Sequence, residues 1–270
     1  MTTIERKMSG LLIDLDGTIY HGSKRIEHAD KLIADLRTGG LAYKYVTNNS
    51  SATPEDVADR LKAMGIEAYA DDVCTSAQAA ASYIAEKLPG ASVFVIGEKG
   101  LREAVVCAGL TITEDNPDYV LQGIDREFNY SRLAKAVRYI LDGASYVMTN
   151  PDLLLPTENG LQPGAGSIGA SLTAAGGKQP VVIGKPSAIL MNYSLNRLGR
   201  TAADTWVIGD NMATDIAAGH ASGCGTILVL TGLTRSDNYE YYAEIAGCKP
   251  DVICTRLDEL RSYISTYRGI

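Results

Sequence analysis

Leu11-Leu12-Ile13-Asp14-Leu15-Asp16-Gly17-Thr18 is the stretch on which the fold turns. Three apolar residues read as a short buried strand, and the strand runs into two carboxylates at i and i+2. In an extended chain those two positions point to the same side. Like charges held together repel, so the pair makes sense where a cation sits beside it or where one acid carries a proton. Gly17 then lets the chain turn sharply. The competing explanation is an ordinary turn or capping pair, because aspartate is common after strands. In open α/β sheets ligands bind beyond the carboxyl ends of the strands, which is where Asp14 and Asp16 would lie.

Outward from this stretch, short apolar runs alternate with amphipathic ones. Residues 29–36 carry Leu32, Ile33 and Leu36 at helical spacing, and Gly39-Gly40 stops the pattern. Residues 41–46 predict a second strand. Thr53-Pro54-Glu55-Asp56 predicts a helix start, with a capping side chain, proline in the first turn and acids near the positive end of the dipole. Val57, Leu61 and Met64 continue that helix and Gly65 ends it. Further strands are expected at 93–96, 119–121, 146–148, 181–183, 206–208 and 226–230, with helical patterns between most of them. This alternation implies βαβ units and parallel sheets covered by helices. Gly/Pro-rich stretches at Pro89-Gly90, at 160–169 and at 176–180 mark residues of about 80 to 178 as an inserted unit.

Composition sets the outer limits. The 270 residues are 46% hydrophobic and 21% charged, which is globular composition with enough chain for about two domains. Lys+Arg 25 against Asp+Glu 32 gives a net charge of −7. That lacks the basic footprint of a general nucleic-acid binder and any polybasic membrane patch. The apolar runs fall well short of the ~20 residues a membrane span needs. Asp14 and Asp16 interrupt the first apolar run, so it is no signal-peptide core. Five widely spaced cysteines without a CxxC predict reduced thiols and a cytoplasmic protein.

Three more strand ends carry polar groups. In Trp206-Val207-Ile208-Gly209-Asp210-Asn211-Met212-Ala213-Thr214-Asp215, a strand again runs into Gly-Asp before a helix. Asp14, Asp16 and Asp210 together make an oxygen-rich site suited to Mg²⁺. Asp215 falls in the first turns of the helix, where its charge also suits the dipole. Tyr45-Val46-Thr47-Asn48-Asn49-Ser50 ends a strand in hydroxyl and amide groups that can hold phosphoryl oxygens, though such residues also fill ordinary loops. Lys185, in Gly184-Lys185-Pro186-Ser187, could neutralise a phosphoryl group. A surface lysine in a loop is the plainer explanation for it.

Some matches are decoys. Gly164-Ala165-Gly166-Ser167-Ile168-Gly169 fits G-x-G-x-x-G, but Gln162-Pro163 precedes it. No acid stands between Glu158 and Asp204 to hold a ribose, so no dinucleotide site is expected. There is no P-loop and no G-x-S-x-G, and His21, His28 and His220 form no zinc pattern.

Taken in order, DxDGT, TNNS, GKP and GDNxxTD resemble the haloacid dehalogenase-like superfamily, in its p-nitrophenyl phosphatase and NagD-type phosphatase branch. Thr149-Asn150-Pro151-Asp152 and Pro163-Gly164-Ala165-Gly166-Ser167 look like that group's cap segments, so the resemblance spans nearly the whole chain. It implies a doubly wound, Rossmann-like α/β core of residues 1–79 and 179–270, with an inserted α/β cap of residues 80–178. It implies Mg²⁺-dependent hydrolysis of a small phosphomonoester, with Asp14 as nucleophile and Asp16 as general acid and base. Asp14 and Asp210 would bind the metal through side chains and Asp16 through its carbonyl. Thr47, Asn48 and Asn49 would bind the phosphoryl group, Lys185 would offset charge, and Asp215 with Asn211 would act from the layer behind. Asn150, Asp152 and the 158–167 loop would read the leaving group, and a cap-mediated homodimer would be expected. The alternatives are a phosphotransferase or mutase of the same superfamily, or a non-catalytic sensor of a phosphate ligand.

Overall fold

The computed structural model describes residues 6–157 and 160–268. They divide into two compact units, one of Met1–Thr47, Ala58–Cys74 and Lys185–Ile270, the other of Asn48–Val57 and Thr75–Gly184.

In the first unit six strands form a sheet in the order Val252–Cys254, Gly225–Val229, Thr205–Gly209, Gly10–Ile13, Ala42–Thr47, Val73–Thr75. Gly10–Ile13 is central and parallel to both neighbours, Leu11 opposing Trp206 on one side and Tyr43 on the other. Leu11, Leu12 and Ile13 are fully buried. A parallel strand covered on both faces reads as an unbroken apolar run, which is why this stretch shows no alternation. Burying each such side chain contributes about 1.5–3 kcal/mol. The chain steps outward from Gly10–Ile13 through Ala42–Thr47 to Val73–Thr75. It later resumes on the other side at Thr205–Gly209 and moves out again. The order therefore reverses between Gly10–Ile13 and Thr205–Gly209, and their carboxyl ends flank the crevice of a doubly wound sheet.

The helix Ala29–Thr38 buries Ala29, Leu32, Ile33 and Leu36, the face its spacing predicts. The helix Pro54–Ala63 starts where expected. The Asp56 N–H donates to Thr53 Oγ1 at 3.1 Å while the Thr53 N–H donates to Asp56 Oδ2 at 3.1 Å, so two otherwise orphaned donors are satisfied reciprocally.

The second unit holds a five-stranded sheet in the order Val181–Val182, Ser145–Met148, Tyr119–Gln122, Ser92–Ile96, Thr111–Ile112, again parallel throughout. Phe94, Val120 and Tyr146, from three adjoining strands, pack on Tyr139 and Ile140 of the helix Tyr130–Leu141 and on Leu172 of the helix Ala165–Gly176. The Gly/Pro-rich stretch around 160–169 is more ordered than its composition suggests. It holds one strand of the antiparallel hairpin Leu154–Thr157/Gly160–Pro163 and the start of the helix Ala165–Gly176. The GxGxxG match thus opens a helix directly after a hairpin strand, although that helix is the crossover between the parallel neighbours Ser145–Met148 and Val181–Val182. Residues 181–183 differ from the buried strand expected there. Val181–Val182 is an edge strand, and Val181 is exposed while Ile183 is buried. With a neighbour on one side only, pairing stops after two residues, and Val181 lies at the open margin of the sheet. Of the 158–167 loop, Glu158 and Asn159 lie outside the described residues. The five cysteines are free thiols. Among the described residues no helix is long and apolar enough to cross a membrane.

Candidate active site

Asp14 follows the strand Gly10–Ile13, and Asp210 follows its neighbour Thr205–Gly209. Both are buried, and the Asp14 N–H donates to the Ile208 carbonyl at 2.8 Å, so sheet pairing itself fixes where the first acid emerges. The chain then turns tightly, with the Ile19 N–H donating to the Leu15 carbonyl at 2.7 Å. Gly17 sits at φ +89°, and a Cβ there would lie 2.5 Å from the Asp210 carboxylate, so the turn needs glycine for both conformation and room. The Thr18 hydroxyl lies 3.2 Å from Asp14 Oδ2 and 3.4 Å from Asp210 Oδ1, one donor between two acids.

Lys185 enters from the segment before the helix Ala188–Leu198. It is no surface lysine: its side chain is buried, and Nζ donates to Asp14 Oδ1, to Asp215 Oδ1 at 2.6 Å and to the Val46 carbonyl at 3.4 Å. Asp215 lies in a π-helical turn, Met212–Ile216, just before the helix Ala217–Ser222. Its Oδ2 accepts the Asn211 N–H at 3.1 Å, and the Asn211 side chain in turn accepts the Ala213 N–H at 2.9 Å. Asp14, Asp210 and Asp215 each offer a carboxylate oxygen, and these oxygens lie within 4.8 Å of one another.

Three buried carboxylates thus face one buried ammonium. Desolvation, then the charges of Asp14 and Asp215, push Asp210 well above the usual carboxylate range. Desolvation and Asp14 raise Asp215 to about 7, against the opposing pull of Lys185. Burial works against the charge on Lys185, but Asp14 and Asp215 outweigh it and hold the ammonium protonated. Buried charges of one sign in excess are costly to a fold. Clusters of this kind are retained where they bind or react. Asp16 is solvent-accessible, beside rather than within the triad; partial desolvation and the Asp14 charge raise it.

The remaining sequence-predicted residues fall as follows. Thr47 closes the strand Ala42–Thr47 and is buried. Asn48 and Asn49 belong to the second unit. There Asn48 Nδ2 donates to Asp152 Oδ2 at 3.1 Å, and the Asn48 carbonyl accepts Asn150 Nδ2 at 2.6 Å. Asn49 Oδ1 accepts the N–H groups of Ser51 and Ala52 and so shapes its own turn. Asn211 lies one residue from Asp210, as a cap. Sequence reading missed the main-chain N–H of Leu233, which donates to Asp210 Oδ2 at 2.6 Å; any residue type supplies such a group, so no signal marked it. It also passed over Thr18, which the DGT triplet does display.

A doubly wound sheet with clustered buried acids at its switch point defines an α/β protein whose site is built on carboxylates. Residues 11–111 match the haloacid dehalogenase-like hydrolase family, and residues 182–260 match a second, HAD-hydrolase-like family. The chain is 45% identical over 229 residues to 5'-nucleotidase YutF of Bacillus subtilis, covering 85% of this chain and 90% of that protein. A p-nitrophenyl phosphatase from Archaeoglobus fulgidus superposes with a TM-score of 0.90 at 37% identity, covering 95% of this chain and 99% of the other. A glycerol phosphate phosphatase from Mycobacterium tuberculosis, solved with magnesium and separately with calcium, superposes at 0.87 with 38% identity over 94% of this chain and 77% of its own. The chain belongs to the haloacid dehalogenase-like hydrolase family, and within it to the phosphoric monoester hydrolases. Phosphatases of this family use a divalent metal, and the oxygen-only donor set of Asp14, Asp210 and Asp215 fits a hard divalent cation.

Proposed function

We propose that the protein is a Mg²⁺-dependent phosphatase of small phosphomonoesters that works through an aspartyl phosphate on Asp14. The buried grouping of Asp14, Lys185, Asp210 and Asp215 carries this reading. In the first step an Asp14 carboxylate oxygen bonds to phosphorus and the P–O bond to the leaving group breaks. Asp16 gives its proton to the departing oxygen. In the second step Asp16 takes a proton from water as the water oxygen bonds to phosphorus, and the P–O bond to Asp14 breaks to release inorganic phosphate. Asp16 suits both roles because its raised proton affinity moves it toward neutral pH, where an acid that must later act as base works best. Lys185 holds one Asp14 oxygen and so directs the other toward substrate, while its charge offsets that of the incoming phosphoryl group. Asp215 fixes Lys185 in that position.

Asp14, Asp210 and the Asp16 carbonyl would hold Mg²⁺, which when bound supplies positive charge against which a dianionic ester can approach clustered acids. Thr47, Asn48 and Asn49 would bind phosphoryl oxygens. Residues 80–178 would serve as the cap over a core of 1–79 and 179–270, with Asn150 and Asp152 reading the leaving group. The relatives' substrates, a nucleotide, p-nitrophenyl phosphate and glycerol phosphate, bound the class expected here. The reading extends to a cytoplasmic homodimer. Phosphate release from p-nitrophenyl phosphate and a panel of nucleoside and sugar monophosphates, with and without chelator, tests it. The chelator should stop turnover, and Asp14→Asn should lower it by about 10⁴-fold or more. Chelator-resistant turnover, or a wild-type rate from Asp14→Asn, would contradict it.

A further inference from the structure

A four-residue turn outside the four strand-end motifs reaches the same carboxylates. Thr231-Gly232-Leu233-Thr234 follows the strand Gly225–Val229 in the first unit. Beyond the Leu233 N–H on Asp210 Oδ2 at 2.6 Å, the Thr234 N–H donates to the Asp210 carbonyl at 3.1 Å. The Thr231 hydroxyl donates to the Gly17 carbonyl at 2.8 Å, tying the turn to the loop that carries Asp16. The Thr234 hydroxyl is fully buried and accepts the Met212 N–H at 3.3 Å. Asn238 closes the turn from its far side, donating to the Leu233 carbonyl at 3.1 Å and accepting the Arg235 N–H at 2.7 Å.

Gly232 completes the arrangement. A Cβ built there would overlap the Asp210 carboxylate, chiefly Oδ2. Its φ lies outside the left-handed region, so the backbone does not itself require glycine; the space does. The consequence for Asp210 is geometric. One carboxylate oxygen, Oδ2, is engaged by the Leu233 N–H. The other, Oδ1, is the one that approaches Thr18 on the Asp14 side. The plane and rotation of the carboxylate are thereby set from behind.

We propose that the 231–234 turn is a positioning device for Asp210: it engages Oδ2, leaves Oδ1 to face Asp14, and requires glycine at 232 to make room. None of the four residues touches the reacting atoms, and their role runs through Asp210. The inference rests on the reading of this cluster as a divalent-cation site.

Calorimetric titration with Mg²⁺ alone, on wild type, Gly232→Ala and Thr231→Val, tests it, with melting of each metal-free protein in parallel. Gly223→Ala is the control: its φ of +76° makes alanine strained, but the nearest atom lies 4.0 Å away and is not part of the site. Partners behind a metal ligand typically set about 10–100-fold in affinity. Gly232→Ala should lose Mg²⁺ affinity on that scale and Thr231→Val toward its lower end, both with melting close to wild type. Phosphate release by either variant should recover as Mg²⁺ is raised. Gly223→Ala should melt lower and bind Mg²⁺ as wild type does. Wild-type affinity in both site-side variants would overturn the proposal, as would losses that track melting alone. If Gly232→Ala does not fold, Thr231→Val decides. Absence of Mg²⁺ binding by wild type would instead remove the metal reading, and the turn's role with it.

Discussion

Two parallel sheets in one chain end their strands in different chemistry. In the first unit Gly10–Ile13 and Thr205–Gly209 run into Asp14 and Asp210, buried acids that with Asp215 outnumber the single ammonium of Lys185. In the second unit Tyr119–Gln122 and Ser145–Met148 run into neutral groups, equally buried. Gln122 Nε2 donates to the Ala165 carbonyl at 2.9 Å, the Thr149 hydroxyl to Ser50 Oγ at 3.2 Å and Asn150 Nδ2 to the Asn48 carbonyl at 2.6 Å. Neutral amides and hydroxyls can close their hydrogen bonds locally at modest cost. An excess of buried negative charge cannot be settled that way. The same architecture therefore closes most polar groups internally at one set of strand ends, where Asn150 Oδ1 is left as a buried acceptor without a partner, and makes a demand for external cation at the other.

Substitutions that swap these characters should break the contrast unequally. The largest effect is expected from Lys185→Met, which leaves Asp14 and Asp215 without their shared ammonium. Removing one partner of a buried ion pair costs about 3–5 kcal/mol, so denaturant melting of the metal-free protein should fall by that order. Added Mg²⁺ should restore part of the loss, because it brings positive charge to Asp14, one of the two acids that Lys185 pairs with. An unchanged midpoint would mean that Lys185 does not balance the cluster.

Gln122→Leu should cost less, about 1–3 kcal/mol, because it removes a buried hydrogen-bond partner of the Ala165 carbonyl and of the Tyr146 hydroxyl without creating an unpaired charge. The same melting experiment reads it, and Mg²⁺ should not rescue it.

The smallest effect is a pH dependence. Asp210 and Asp215 are raised above ordinary carboxylates, the latter to about 7. From mildly acidic pH up to neutrality the metal-free cluster therefore holds protons that an incoming cation must displace. Raising pH removes that competitor, so Mg²⁺ affinity should rise by about tenfold per pH unit where one proton is released, and level off above neutrality. Calorimetry in buffers of different ionisation enthalpy would count the proton. A flat profile would show that the acids are already ionised.

Much of this contrast was legible in the chain. Leu11-Leu12-Ile13 is apolar because it is buried on both faces, and the acids follow where a parallel strand delivers its ligands. The helix Ala29–Thr38 showed its buried face in Leu32, Ile33 and Leu36. What stayed hidden depends on contacts distant in sequence. Lys185 looks like any loop lysine until Asp14 and Asp215 fold around it. The Leu233 N–H is invisible because every residue but proline carries one. The hairpin Leu154–Thr157/Gly160–Pro163 was masked by glycine and proline, which mark turns and also occupy exposed two-stranded edges. Val181–Val182 gave too short a run to show that it pairs on one side only, at the edge of its sheet.

The central claim is that Asp14 bonds covalently to phosphorus. Quenching turnover with borohydride and sequencing the tryptic peptides by mass spectrometry tests it most directly, since reduction of an aspartyl phosphate leaves homoserine in place of the aspartate. Homoserine at position 14, formed only when Mg²⁺ and substrate are both present, is the predicted result; undiminished turnover with residue 14 unmodified, or modification at Asp16 or Asp210 instead, would contradict it.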